Sequence, residues 1–287
     1  MDIRGLTKFS LIDFPGKLAC ILYAGGCNFR CPYCHNPEII TSCRNKSALP
    51  TTKNILNPGS HEDEIPNMHN VSRSKQPMFR DDVLYFLSSR KGKLEGVVIT
   101  GGEPTLYKGL PEFIREIKDM GFAVKLDTNG TNPKMLQKLL DEKLVDYVAM
   151  DIKAPIGLYS KSELNQKSRL GLLTQQHKSN IDLNTSRYEQ VVCAKVNTKN
   201  ILKSIEILKN SDIKYEFRTT VVKSQLNIED FEKIGEIIEG VPKYYLQRFM
   251  PTKTLDESFM QETTYSDEEF ELIIKVLKKY IKHVELR

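Results

Sequence analysis

Six short apolar segments recur along the chain, and each is rich in β-branched or aromatic residues. Near-continuous apolar runs of this length are typical of strands that are buried on both faces. The segments therefore predict six strands, at 18–25, 96–102, 123–130, 147–154, 215–222 and 244–249.

Amphipathic helical patterns lie between or after these segments. In 110–121, for example, Leu110, Phe113 and Ile117 fall on one apolar stripe. Patterns of the same kind predict further helices at 133–144, 198–211, 228–240 and 266–284.

The alternation of strands and helices predicts an α/β fold with a parallel sheet and right-handed crossovers. Six such units are fewer than the eight of a closed barrel. We therefore expect one domain over 1–287, folded as a partial, open (β/α)6 barrel. Two polar stretches, 42–77 and 160–186, do not fit the alternation and are predicted to be surface insertions.

The charge balance is mild, with 42 Lys and Arg against 37 Asp and Glu, and a formal net charge of +5. The charges are dispersed, so this balance does not favour nucleic acid as a partner. No apolar run is long enough to span a bilayer, and the N-terminus lacks a signal-peptide pattern. We expect a cytoplasmic protein that does not enter a membrane.

The segment "GGCNFRCPYCHN" holds Cys27, Cys31 and Cys34, three of the six cysteines in the chain. In a reducing compartment, clustered cysteines indicate metal binding or catalysis rather than disulfides. A loop with this spacing can deliver three thiolates to one 4Fe-4S cluster and leave the fourth iron open for chemistry. A zinc site with His35 as fourth ligand is the alternative, but adjacent residues such as Cys34 and His35 rarely complete a tetrahedron.

Polar residues also close or follow the predicted strands. Because parallel strands end at the same edge of a sheet, these residues are expected to converge on one site. They are Cys27, Gly101, Gly102, Glu103, Asp127, Asp151, Lys153, Arg218 and Gln247. Two of them, Asp127 and Asp151, would repel each other unless a cation or hydrogen-bond donors join them.

The cysteine loop C-x-x-x-C-x-Y-C, followed by "GGEPT", resembles the radical S-adenosylmethionine (SAM) superfamily. The resemblance covers nearly the whole chain outside the two insertions. The segments "VKLDTNGTNP" and "VDYVAMDIKAP" are similar to activating enzymes of glycyl-radical enzymes. The chain is most similar to activating proteins of anaerobic ribonucleotide reductase, with pyruvate formate-lyase activating enzyme as a near relative.

The resemblance implies a 4Fe-4S cluster on Cys27, Cys31 and Cys34, with SAM bound to the open iron. One electron, from reduced flavodoxin or ferredoxin, would cleave SAM, and the resulting 5′-deoxyadenosyl radical would remove hydrogen from a glycine of a partner enzyme. Such chemistry is anaerobic, and the protein would be an oxidoreductase.

The resemblance also implies roles for single residues. Gly101 and Gly102 lack a Cβ, so the backbone there can approach a ligand closely. By resemblance, Gly102 and Glu103 would bind the methionine amine and Gly101 would belong to the same cofactor site, although the same residues could form only a tight turn. Tyr33 would flank the adenine, with His35 and Asn36 in the same pocket, although His35 could equally be a hydrogen-bonded histidine of the loop.

Residues at later strand ends also acquire roles by resemblance. Asp127, Thr128 and Asp151 would hold a monovalent cation. Ile152, Lys153 and Arg218 would contact SAM, although Arg218 could instead pair with one of the acids. Gln247 stands where pyruvate formate-lyase activating enzyme has a histidine, which favours the ribonucleotide reductase type.

Three functions remain open at this stage. The first is an activase of a glycyl-radical enzyme, either anaerobic ribonucleotide reductase or a relative such as pyruvate formate-lyase. The second is a radical SAM enzyme acting on a small molecule or an RNA base. The third, an electron carrier or zinc module, leaves the strand-end polar residues unexplained.

Overall fold

The computed structural model describes residues 1–40, 72–157 and 186–287. Its described residues form a single nine-stranded sheet. The strands are β1 (Ile3–Ser10), β2 (Ala19–Ala24), β3 (Ser72–Met78), β4 (Gly96–Gly101), β5 (Ala123–Thr128), β6 (Tyr147–Asp151), β7 (Lys214–Val221), β8 (Tyr244–Arg248) and β9 (Val284–Leu286).

The order across the sheet is β3-β1-β2-β4-β5-β6-β7-β8-β9. From β2 through β9 all neighbours are parallel, whereas β1 runs antiparallel to both β2 and β3. The outermost strands β3 and β9 do not pair with each other, so the sheet is open. The predicted α/β fold with a partial, open barrel is confirmed.

All six predicted strands are present, and the structure adds β1, β3 and β9. β3 lies at the end of the segment that was predicted as a polar insertion, and its backbone pairs with β1. Its sequence, "SRSKQPM", carries no apolar run that would have revealed it. The remainder of 42–77, and all of 160–186 except Ser186, lie outside the described residues.

Along the sequence, the helices lie between the strands. They are α1 (Pro37–Ile40), α2 (Arg80–Ser89), α3 (Leu110–Asp119), α4 (Pro133–Asp141), α5 (Arg187–Val192), α6 (Thr198–Lys209), α7 (Ile228–Ile237) and α8 (Asp267–Leu277). The five predicted helices correspond to α3, α4, α6, α7 and α8. The last prediction ran too far, since α8 ends at Leu277 and β9 occupies the final residues.

Burial follows the apolar pattern. β2 is buried along its whole length, and α3 turns Phe113, Ile114 and Ile117 into the core. Cys20, on β2, is fully buried there. Among the helices that the structure describes, none combines the length and the apolar character needed to cross a membrane.

Candidate active site

The cysteine loop follows directly after β2, at the C-terminal edge of the parallel strands. Cys27, Cys31 and Cys34 all line one cavity of about 390 Å³. Backbone amides point at two of the sulfurs: Phe29 N lies 3.4 Å from Cys27 Sγ, and Asn36 N lies 3.4 Å from Cys34 Sγ. Amide donors of this kind stabilise thiolates and tune the potential of iron–sulfur clusters.

Burial controls the protonation of two of these thiols. It raises the pKa of both Cys27 and Cys31 to about 12. The metal-free thiols are therefore protonated at neutral pH, and metal binding has to displace their protons.

His35 is engaged away from the cysteines. Its Nε2 lies 3.0 Å from the carbonyl oxygen of Met250, and its ring stacks on Phe249 at 5.6 Å between centroids. Within the described ranges, no three His, Cys, Asp or Glu side chains are grouped so that they could hold a single metal ion. The contacts of His35 do not favour the zinc alternative, whereas three thiols around one cavity fit a larger cluster.

The other described cysteines lie elsewhere. Cys20 is in the core, and Cys193 is exposed at the C-terminal end of α5. Cys43 lies outside the described residues.

The glycine turn after β4 packs against the start of the cysteine loop. Gly102 N donates to Ala24 O at 2.8 Å, and Glu103 N donates to Gly26 O at 2.9 Å. A Cβ on Gly102 would lie only 1.8 Å from Gly26 O. The absence of a side chain here lets the backbone of Gly26 approach. Gly102 also lines the cavity, and its contact with a ligand stays a prediction.

Glu103 is fully buried and does not line the cavity. Its carboxylate accepts hydrogen bonds from Thr105 N at 3.1 Å, Thr128 Oγ1 at 2.7 Å and Asn129 N at 2.6 Å. Burial raises its pKa, although these donors oppose the effect. Glu103 thus ties the turn after β4 to the turn after β5, and its contact with the cofactor stays a prediction.

The two strand-end acids are joined by cationic side chains. Arg218 donates from Nε to Asp151 Oδ1 at 2.9 Å and from Nη1 to Asp127 Oδ2 at 3.1 Å. Lys153 Nζ donates to Asp151 Oδ2 at 3.0 Å, and Lys125 Nζ lies 2.9 Å from Asp127 Oδ1. We call these five residues the charge row. Of the two alternatives for Arg218, pairing with the acids is the one observed, and it involves both acids.

The charges in this row set the protonation of the acids. Burial alone would raise the pKa of Asp151, but Arg218 and Lys153 overcome it and bring that pKa down to about 2. Arg218 and Lys125 likewise overcome burial and lower the pKa of Asp127. Both acids are therefore ionised at neutral pH.

Most of the residues predicted from the sequence meet at the cavity. Besides the cysteines, those that line it are Tyr33, His35, Gly101, Gly102, Asp127, Thr128, Asp151, Lys153, Arg218 and Gln247. Ile152 does not: it is fully buried, and its backbone nitrogen donates to Arg218 O at 2.8 Å.

Asn36, expected in the pocket, lines the cavity and donates through Nδ2 to Gly101 O at 3.2 Å. Other lining residues were missed. Asn129 lines the cavity, and its Nδ2 donates to Asn28 Oδ1 at 2.9 Å. It stands within the segment "VKLDTNGTNP", so the motif could have revealed it. Asp13 also lines the cavity, but it follows β1, a strand that the apolar pattern did not show.

Comparison with known proteins identifies the family. Two proteins of Methanocaldococcus jannaschii, each named as a candidate glycyl-radical enzyme activating enzyme, match most of the chain. One is 29% identical over 99% of this chain and 95% of its own length; the other is 30% identical over 85% and 82%. The Radical SAM superfamily model matches residues 21–155, which include the cysteine loop and the ends of β4 to β6. The chain belongs to the radical SAM superfamily.

Other members of the superfamily match over shorter stretches. A 7-carboxy-7-deazaguanine synthase of Methanopyrus kandleri is 31% identical over 50% of this chain and 52% of its own length. A pyruvate formate-lyase-activating enzyme of Staphylococcus aureus is 31% identical over 53% of this chain and 52% of its own length. Among solved structures, a radical SAM methyltransferase from Sphaerobacter thermophilus shares the fold, with a TM-score of 0.56 at 12% identity over 96% of this chain and 67% of that one.

Radical SAM proteins use a 4Fe-4S cluster and SAM, and the residues present fit both. Three thiols that line one cavity could supply the cluster ligands and leave one iron for SAM. The predicted 4Fe-4S cluster and SAM are confirmed at the level of the family.

Proposed function

We propose that this chain is an activase that installs a glycyl radical on a partner enzyme, and that the partner is an anaerobic ribonucleotide reductase. The observation that carries the proposal is the convergence of Cys27, Cys31 and Cys34 with the strand-end polar residues on one cavity. The two relatives that match over most of their length carry the name of this class of enzyme.

The cofactors supply the reaction, and the protein positions them. With both bound, the cluster and SAM would supply one-electron cleavage of the bond between sulfur and C5′ of SAM and removal of a hydrogen atom from the partner's glycine, with the electron coming from reduced flavodoxin or ferredoxin. Cys27, Cys31 and Cys34 would hold the cluster, and Arg218 and Lys153 of the charge row, which line the same cavity, would orient the carboxylate of SAM. The walls of the cavity would keep water away from the reacting atoms.

The open sheet supports a protein as the substrate. β3 and β9 leave the barrel unclosed among the described residues, and we expect a loop of another chain to reach the cavity from this open side. The target glycine has to come out of its own fold to reach the strand ends, which costs ordering free energy on docking.

Two sequence features support the ribonucleotide reductase as partner. Gln247, which lines the cavity, occupies the position where the pyruvate formate-lyase type has a histidine. The segment 42–77 has only Cys43, which is too few cysteines to bind an auxiliary cluster.

A second candidate function is radical chemistry on a small molecule, as the name of the deazaguanine synthase relative suggests. The match to that relative is as high in identity as the match to the pyruvate formate-lyase-activating enzyme, but each covers only about half of the chain. The activase reading rests on the relatives that match over most of their length.

Anaerobic reconstitution with iron and sulfide, followed by reductant, SAM and a candidate partner, tests the proposal. With an anaerobic ribonucleotide reductase we expect a glycine-centred doublet in electron paramagnetic resonance, which disappears when the target glycine is replaced. The variant Cys31→Ala should give no signal, whereas Cys193→Ala, which changes an exposed thiol, should behave as wild type. A signal on pyruvate formate-lyase but not on the reductase would reassign the partner. Turnover of a small molecule without any partner radical would favour the second candidate.

A further inference from the structure

The expected monovalent cation would need oxygen ligands from Asp127, Thr128 and Asp151. Hard cations such as Na⁺ and K⁺ bind where carboxylate or hydroxyl oxygens face an open space. In the structure, each carboxylate oxygen of both acids faces a cationic side chain instead. The four contacts range from 2.9 to 3.1 Å. The contact of Lys125 is an ion pair outside hydrogen-bond geometry, and the other three are hydrogen bonds.

The third expected ligand is engaged elsewhere. Thr128 Oγ1 donates to Glu103 Oε1 at 2.7 Å and accepts from Gly130 N at 3.2 Å. The hydroxyl therefore serves the buried glutamate, and not the pair of acids. The expected cation does not fit these residues as they are arranged.

The sheet itself builds this arrangement. Lys125 and Asp127 are two residues apart on β5, so their side chains leave the same face of the sheet. Asp151 and Arg218 are direct partners in the register of β6 and β7. The planar fork of Arg218 can bridge two carboxylates, which the point charge of a lysine cannot do with the same geometry.

The charge row has no excess of negative charge that a bound cation would neutralise. Three cationic and two anionic side chains give a formal charge of +1. They are 3% to 23% exposed, so solvent screens them weakly. A further cation would meet net repulsion here, whereas the carboxylate of SAM would meet a favourable charge.

We infer that Arg218, together with Lys125, takes the place of the monovalent cation, so that this protein binds SAM without Na⁺ or K⁺. Arg218 is a positioning residue: it holds Asp127 and Asp151 side by side at the cavity. The inference concerns SAM binding and does not depend on which partner the protein activates.

The test is calorimetric titration of SAM into the reconstituted, cluster-loaded protein, under anaerobic conditions. One buffer contains only tetramethylammonium as cation, and parallel buffers add Na⁺ or K⁺ at constant ionic strength. For the wild type we expect the dissociation constant of SAM to differ by less than twofold between buffers. For Arg218→Gln we expect binding about tenfold weaker in tetramethylammonium and largely restored by Na⁺ or K⁺, because the ion then fills the place of the guanidinium.

Two further variants sharpen the result. Arg218→Lys keeps the charge but loses the fork, so its affinity should lie between wild type and Arg218→Gln, with a weaker response to the ions. Arg115→Gln removes an arginine whose ion pair with Glu142 is on the surface, and it should match the wild type in every buffer. A wild-type affinity for SAM that falls tenfold without Na⁺ or K⁺ would overturn the inference. This wild-type measurement decides the question even if Arg218→Gln does not fold. An Arg218→Gln variant that binds SAM normally in tetramethylammonium would overturn it as well.

Discussion

At the scale of single residues, Gly102 lines the cavity and also makes a close backbone contact that the motif did not reveal. The nearest atom to its missing side chain is the carbonyl oxygen of Gly26, one residue before Cys27. A side chain at Gly102 would push apart the turn after β4 and the cysteine loop. The effect of a substitution should therefore reach both the cluster and SAM.

Gly102→Val tests this point. A Cβ at 1.8 Å from a backbone oxygen cannot be accommodated without a shift of the chain. We expect SAM to bind at least about tenfold more weakly, a loss of roughly 1.4 kcal/mol or more. Calorimetric titration of SAM and iron content after reconstitution are the measurements.

Gly109→Ala is the matched control, because a Cβ there would meet nothing within 4 Å. It should leave SAM affinity and iron content unchanged. Normal SAM affinity in Gly102→Val would show that the contact with Gly26 is not needed for the site.

The residues of the site were predictable to the extent that chemistry and spacing mark them. Cys27, Cys31 and Cys34 could be found because thiols in this spacing have few other uses. The contacts of Glu103 and Arg218 could not, since they depend on which side chains the folded sheet brings within 3 Å or so. The sequence left open whether Arg218 would pair with an acid, and only the register of β6 and β7 decides it.

At the scale of elements, the apolar pattern predicts strands that are buried on both faces and misses those that are not. β2 and β4 through β8 carry such runs and were all predicted. β1 is buried only in its first half and carries no continuous apolar run, and β9 has only three residues. Helix α8 was drawn too long because apolar residues continue past Leu277 into the turn and β9.

β3 also changes the expectation for the first polar segment. We expect deletion of 44–69, which keeps the whole of β3, to leave SAM cleavage within about twofold of wild type. Polar composition argues that this stretch contributes little to the core, and loop length has a weak effect on closure. Formation of 5′-deoxyadenosine by the soluble, cluster-loaded protein is the measurement.

The longer deletion 44–75 is the matched comparison. It also removes residues 70–75, of which Ser72 and Arg73 pair with Leu6 and Gly5 of β1. It should therefore lower the melting temperature, whereas the shorter deletion should not. If the shorter deletion abolishes 5′-deoxyadenosine formation, residues 44–69 belong to the site.

At the scale of the whole molecule, the sheet forms the cavity at one edge and leaves the barrel open. Residues at the ends of β2 and of β4 through β8 line the cavity, while β3 and β9 do not pair with each other. The number of predicted strands was enough to foresee this opening. The extra strands β1 and β3 extend the sheet beyond β2 without closing it. β1 pairs antiparallel with β2.

The opening leads to a prediction about the path of the hydrogen atom. If a partner loop enters the unclosed barrel, its glycine lies directly at the strand ends, and the hydrogen passes in one step to C5′. With a partner whose target glycine carries deuterium at Cα, we expect 5′-deoxyadenosine one mass unit heavier, detected by mass spectrometry. A partner with deuterium at other glycines only is the control and should give unlabelled product. Unlabelled 5′-deoxyadenosine together with a full glycyl radical signal would mean that another residue relays the hydrogen, so that the glycine itself need not enter the open barrel.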